Sequence, residues 1–137
     1  MTPVEAWAAV VTGEDAAVFA YSVAGAQVQG GARRKALTGL DAHRANRDRA
    51  AATVVAEGGT PPAVAAGYRL PESAGTAKGA RAVMADVDNA LVATYADAAG
   101  ASTGDERRRA ARAAAECAAR AVSWGAATQA FPSGSTA

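Results

Sequence analysis

The chain has one cysteine and no isoleucine, and aromatic residues make up only 5% of it. A single cysteine, Cys117, excludes an intramolecular disulfide and fits a reducing compartment, so we expect a cytoplasmic protein. No window approaches the roughly 18 uninterrupted apolar residues of a membrane span, and the N-terminus lacks a charged leader with an apolar core. The net charge of +1 gives no overall field that would favour nucleic acid or an anionic membrane as a partner.

The residues that are abundant favour helix. The hydrophobic fraction is 50%, mostly alanine and valine, and the length of 137 residues suits one domain with a single core. Alanine, arginine and glutamate are all good helix formers. Because each alanine buries little apolar area, such a core depends on close contact between helices.

Capping and stop signals divide the chain into four predicted helices. Thr2 and Glu5 form a capping box with Pro3 at the first helical position, and residues 103–106 form a second capping box. Glycine pairs supply stop signals after the first two helices. We therefore expect helices over about 3–29, 32–57, 74–99 and 103–129 in one domain of residues 1–130, followed by a flexible tail over 131–137.

The lengths of the connections predict the topology. The first and the last connections are short, so each must join an antiparallel hairpin. Residues 58–73 reach roughly 50 Å when extended, which exceeds the roughly 39 Å of the second helix. The middle connection can therefore cross the whole bundle and make helices two and three parallel. Two hairpins joined by one long crossover are the ferritin-like arrangement, and the alternative is a simple up-down-up-down bundle.

The two predicted hairpins contain similar motifs. Glu14-DAAVFA-Tyr21 in the first helix matches Asp88-NALVAT-Tyr95 in the third. The second and fourth helices match more loosely, through His43-RAN-Arg47 and Glu116-CAA-Arg120. This repeat indicates a pseudo-twofold relationship between the hairpins.

Helical spacing turns three polar side chains inward, Glu14, His43 and Asp88, and makes Arg47 a fourth candidate. Each of them has apolar residues three, four or seven positions away, on the same face of its helix. The fourth helix is less clear, because Glu116 points away from its best apolar face. That face consists of Ala111, Ala114, Ala118 and Val122.

Buried carboxylates must be paired, hydrogen-bonded or bound to metal, which leaves two interpretations. In the first, Glu14 pairs with Arg47 and His43 pairs with Asp88, while the tyrosine hydroxyls add hydrogen bonds. In the second, iron, manganese or zinc binds between the helices. The candidate metal ligands are Glu14, His43, Asp88 and Glu116.

A complete di-iron site would require a Glu-x-x-His motif on each of two helices. Leu40 stands three residues before His43, and Ala119 stands three residues after Glu116. Half of each motif is therefore missing, and the sequence predicts a degenerate site at most.

The four quoted motifs resemble the actinobacterial ferritin-like domain of unknown function. They are Glu14-DAAVFAY, Ala42-HRANRD, Asp88-NALVATY and Glu116-CAARAVSW, within a match over roughly residues 5–128. The resemblance implies an all-α, ferritin-like four-helix bundle with an unassigned activity that forms a homo-oligomer. Leu40 and Ala119 depart from true ferritins, which puts iron oxidation and storage in doubt.

Several function classes remain at this point. We expect a non-enzymatic module without a cofactor that forms a homodimer or binds a protein partner. Trp124 is expected to pack in the core, with a dimer anchor as the alternative. The alternative is a metal-binding protein or a redox enzyme that uses the inward carboxylates and His43. The arginine runs at 33–35 and 107–109 favour solvated faces over RNA binding, and Cys117 is expected to be a buried, inert thiol.

Overall fold

The computed structural model describes residues 1–128 and contains four long α-helices in this range. They are α1 (Pro3–Ala24), α2 (Gly30–Ala56), α3 (Ala77–Ala101) and α4 (Gly104–Ser123). Short 3-10 segments follow α1 at Gly25–Gln27 and precede α3 at Glu72–Gly75. The described residues include no strand, and the all-α prediction is confirmed.

One of the two predicted capping boxes forms. The Glu5 amide donates to the Thr2 hydroxyl at 3.2 Å, and the Thr2 amide donates to the Glu5 carboxylate at 2.8 Å. The box predicted at Thr103 is wrong, because this residue makes no side-chain cap. Gly104 instead starts α4 with a φ of +57°, a conformation that glycine adopts without strain.

The helix ends differ from the predicted boundaries by a few residues. α1 stops at Ala24, before the predicted 29, because the chain tightens into a 3-10 turn in which Gly25 packs closely against Ala36. α4 stops at Ser123, before the predicted 129, and Gly125 with a φ of +109° turns the chain away from the helix axis. The predicted tail over 131–137 lies outside the described residues.

Contacts along the helices fix their directions. α1 and α2 are antiparallel, since Val4 packs against Gly59 at one end and Gly25 packs against Ala36 at the other. α1 and α3 are also antiparallel, because Trp7 near the start of α1 donates its indole N–H to the hydroxyl of Ser102 at the end of α3, at 3.0 Å. It follows that α2 and α3 run parallel, as the predicted crossover requires.

The crossover loop between α2 and α3 follows the outer side of α1. Asp15 anchors it, because one carboxylate oxygen accepts hydrogen bonds from the Ala65 amide at 3.2 Å and the Tyr68 hydroxyl at 2.7 Å. The ring of Tyr68 packs against Phe19, with centroids 5.7 Å apart. Burial and the bond to Asp15 raise the pKa of Tyr68 to about 12, so its hydroxyl stays a donor at neutral pH.

The apolar core consists of two clusters, one toward each end of the helices. One is built around Trp7, Val10, Leu91 and Tyr95, and the other around Tyr21, Met84 and Trp124. In the described residues, none of the helices has the length and apolar character needed to cross a membrane.

The inward face of α4 differs from the predicted one. The predicted stripe of Ala111, Ala114, Ala118 and Val122 lies outward or at the edge of the core. The buried face is one position away and consists of Ala110, Ala113, Cys117 and Ala121. Alanine occurs on both faces, so apolarity alone could not select between them; Cys117 and Trp124 identify the buried side.

We predict that Gly39→Ala destabilises the protein. A Cβ at Gly39 would lie 2.5 Å from a ring carbon of Tyr21, whose position is fixed by packing and a hydrogen bond. We expect a net loss of about 1–3 kcal/mol in the free energy of unfolding, since overpacking outweighs the helix-propensity gain of about 1 kcal/mol. Urea denaturation measures it. Gly100→Ala is the control, because its Cβ would meet nothing within 4 Å and it should be neutral or mildly stabilising.

Candidate functional site

Three fully buried polar side chains from three helices meet between the two apolar clusters. They are Glu14 of α1, His43 of α2 and Asp88 of α3. His43 Nδ1 lies 2.6 Å from Glu14 Oε2, and His43 Nε2 lies 3.3 Å from Asp88 Oδ1. The prediction that these three face inward is confirmed, and the imidazole lies between the two carboxylates.

Two tyrosines complete the site in a crossed arrangement. Tyr95 of α3 donates to Glu14 Oε1 at 2.5 Å, and Tyr21 of α1 donates to Asp88 Oδ2 in a short hydrogen bond. Each tyrosine thus bonds to the acid of the other repeated motif. Burial and the adjacent carboxylates raise the pKa of both hydroxyls far above their ordinary value, so both remain donors.

The fourth helix contributes Arg120. Its Nε donates to Asp88 Oδ1 at 3.0 Å. Trp124 adds an indole N–H that donates to the Tyr21 hydroxyl at 2.9 Å. We call the group of Glu14, His43, Asp88, Tyr21, Tyr95, Arg120 and Trp124 the central network.

Two predicted participants lie elsewhere. Arg47 does not pair with Glu14; its guanidinium lies 3.7 Å from Asp15 and 3.3 Å from Asp48, partly in solvent. Glu116 is exposed on α4, because the buried side of that helix passes through the next residue, Cys117. Of the four predicted metal ligands, the structure therefore brings three together and leaves Glu116 outside.

The surroundings of His43 favour the charged form of its imidazole. Burial alone would lower the pKa of its imidazole, but the hydrogen bonds and negative charges of Asp88 and Glu14 outweigh burial and raise it. A protonated His43 and Arg120 together balance the charge of two carboxylates. Removing one partner from such a buried set leaves an uncompensated charge, which typically costs about 3–5 kcal/mol.

The arrangement leaves little room for a metal ion. Each of the four carboxylate oxygens already faces a donor, namely Tyr95 and His43 on Glu14, and Tyr21 and Arg120 on Asp88. Within residues 1–128, no group of three or more histidine, cysteine, aspartate or glutamate side chains, these three included, is arranged so that it could hold a metal ion. A metal bound to these carboxylates would have to displace hydrogen-bond donors from both of them, so the arrangement favours the polar network over a metal.

Cys117 borders the network and is fully buried, as predicted. Burial and the negative charges of Asp88 and Glu14 raise the pKa of its thiol well above the ordinary value. Nucleophilic cysteines require the opposite shift. The thiol is therefore held in its unreactive, protonated form.

Sequence reasoning missed Arg120 and Asp15. Arg120 lies three residues after Cys117, a spacing that places both on one face of α4. Asp15 follows the inward Glu14 and looked like a surface residue, because nothing in its own helix indicates the loop that covers it. The spacing of residues within one helix does not indicate contacts with a distant loop.

We predict that stability falls as pH rises above neutral. Because the folded-state pKa of His43 is raised, the stabilisation is complete below the unfolded value of about 6.5 and is lost as pH rises through the folded value. The slope can reach about 1.4 kcal/mol per pH unit. Urea denaturation at several pH values between 6.5 and 8 measures the change in the free energy of unfolding. This pH range lies below the one in which Cys117 titrates. His43→Gln should be less stable at pH 6.5 and lack the decline; a flat wild-type profile would indicate a neutral imidazole.

The fold resembles that of rv2844, a conserved hypothetical protein from Mycobacterium tuberculosis, with a TM-score of 0.84 and 28% identity, covering 89% of this chain and 93% of that chain. This agrees with the expected actinobacterial relationship. No curated protein matches the chain. A family model described as "Domain of unknown function (DUF4439)" matches residues 6–136, nearly the whole length, and the chain belongs to this family.

Proposed function

We propose that the chain is a ferritin-like four-helix bundle that acts as a non-catalytic, self-associating protein. Its central network takes the place that a di-iron centre has in metal-binding bundles. The observation that carries this proposal is the position of His43, whose two ring nitrogens face carboxylates from two different helices. The free thiol of Cys117 supports a cytoplasmic location.

The network supports a structural role better than a catalytic one. All seven of its side chains are largely removed from solvent, and their donors and acceptors are directed at one another. General acid–base chemistry needs a group within reach of a substrate and a pKa near the working pH. The tyrosine hydroxyls and the thiol have pKa values shifted away from that range.

A metal-binding function is the alternative, and one observation favours it. His43 Nε2 is fully buried and makes no hydrogen bond of good geometry within the described residues, although Asp88 Oδ1 is 3.3 Å away. A ring nitrogen of this kind is the usual ligand atom for iron, manganese or zinc. Binding would require deprotonation of His43 and movement of Arg120.

The outward face of α4 supports self-association. A groove between α3 and α4 has an uncharged lining that is apolar except for Asn89 and contains Val92, Ala115, Ala118 and Val122. Small side chains permit close approach of a second helix, and an isologous twofold contact uses the same patch on both copies. We call it the α3–α4 groove, and its proposed occupant is the same groove of a second copy.

Charges at the two ends of this groove favour an antiparallel pairing of the copies. Arg108 lies two turns before Ala115 on the same face of α4, and it is 73% exposed. Asp86 is exposed on α3 near the opposite end. A twofold axis across the groove places the arginine end of one copy over the aspartate end of the other.

We predict that the protein contains far less than one atom of iron, manganese or zinc per chain. Elemental analysis of protein purified without a polyhistidine tag measures it. Stoichiometric metal that disappears in His43→Ala but persists in Glu116→Ala would replace the proposal with the metal-binding alternative.

We predict a dimer at micromolar concentration that dissociates when a charge enters the α3–α4 groove. Ala115→Glu places a desolvated charge on each side of the twofold contact, which should shift the equilibrium to monomer by at least tenfold in Kd. Light scattering after size exclusion measures the mass. Ala45→Glu, the same change on the exposed surface of α2, is the control and should stay dimeric. A monomeric wild type would contradict self-association.

A further inference from the structure

A polar cleft opens between α2 and α4, where the two helices stand apart. Its volume is about 320 Å³. Trp7 and Tyr95 form the floor, and the small side chains of Ala50 and Ala113 leave the space between the helices unfilled. Ligand sites commonly occupy about 300–1,000 Å³, so the cleft suits a small metabolite.

Three arginines line this cleft. Arg49 projects from α2, and Arg109 and Arg112 project from α4, against a single carboxylate, Glu116. None of the three arginines forms an ion pair with a carboxylate within residues 1–128, whereas Arg44 and Arg108 each pair with an aspartate on their own helix. The cleft therefore has an excess of two positive charges. We call it the arginine cleft.

Two of the guanidiniums are held in place by neighbouring groups. Arg109 lies over the Trp7 ring, 4.9 Å from its centroid, and donates to the Thr53 hydroxyl across the gap. Arg49 donates to Asn46 Oδ1 at 2.8 Å. Side chains positioned in this way lose less conformational entropy when they bind a ligand.

We propose that the arginine cleft binds a small phosphate-bearing dianion, with Arg49 and Arg112 contacting the phosphate from opposite walls. Guanidinium forks match phosphate geometry and form strong charge-assisted hydrogen bonds. A phosphate group offers acceptor oxygens in several directions, so arginines on two helices can bind it together. A carboxylate presents its two oxygens along one planar edge and therefore matches a single guanidinium group. A dianion also neutralises the excess charge.

The test is an NMR titration of ¹⁵N-labelled protein with inorganic phosphate and pyrophosphate, with succinate as a dicarboxylate probe. We expect saturable shifts of the Trp7 indole N–H and of the Ala50 and Ala113 amides with both phosphate probes. Succinate should bind at least tenfold more weakly. No saturable shift with either phosphate probe would overturn the proposal, and so would equal affinity for succinate.

Variants locate the binding to the cleft. Arg112→Gln and Arg49→Gln should each weaken pyrophosphate binding about tenfold or more, the usual effect of losing a charge-assisted hydrogen bond. Glu116→Gln should strengthen it, because a repelling charge is removed. All three side chains are exposed, and thermal unfolding confirms that the variants fold.

Arg44→Gln is the matched control, on α2. It removes the same charge outside the cleft and should leave the Kd unchanged. Equal weakening by the control and the cleft variants would show diffuse binding to a basic surface, as for an RNA strand, and would overturn the proposal. The readout is independent of metal content and oligomeric state.

Discussion

The placement of the His43 imidazole between two buried carboxylates is the interaction on which the structure depends. Glu14 and Asp88 are fully buried on α1 and α3, the central helix pair, where like charges would repel. His43 separates them and contacts both, while Arg120 supplies the second compensating charge. Because the four groups come from four helices, correct pairing requires all four to be in register.

The aromatic residues extend this pairing into the two apolar clusters. Trp7 packs edge-on to Tyr95, and Trp124 packs edge-on to Tyr21, with centroids 6.4 Å apart in both cases. A cation covers each indole, Arg109 over Trp7 and Lys35 over Trp124. Each tyrosine of the repeated motifs therefore packs against a tryptophan, and these pairs link the polar centre to both ends of the core.

Much of the fold follows from the sequence, because capping signals, glycine stops and loop lengths are local. The identity of Glu14, His43 and Asp88 as inward residues also followed from helical spacing. The buried face of α4 did not follow from the sequence. Alanine occurs on both sides of this helix, so there is no contrast between an apolar and a polar face. For that reason Glu116 was assigned to the site and Arg120 was not. The buried face of α4 is shifted by one residue from the predicted face, and this shift places the base Arg120 at the site in place of the acid Glu116.

The crossed tyrosines make each hairpin dependent on the other. Tyr21 bonds to Asp88 and Tyr95 bonds to Glu14, so neither hairpin satisfies its own acid. A buried acid that lacks a hydrogen-bond partner is costly, so the bonds of both acids are complete only when the two hairpins pack together. The second helices of the hairpins are not equivalent in this respect. Glu116 stands at the motif position of His43, and Arg47 at that of Arg120, yet only His43 and Arg120 reach the central network.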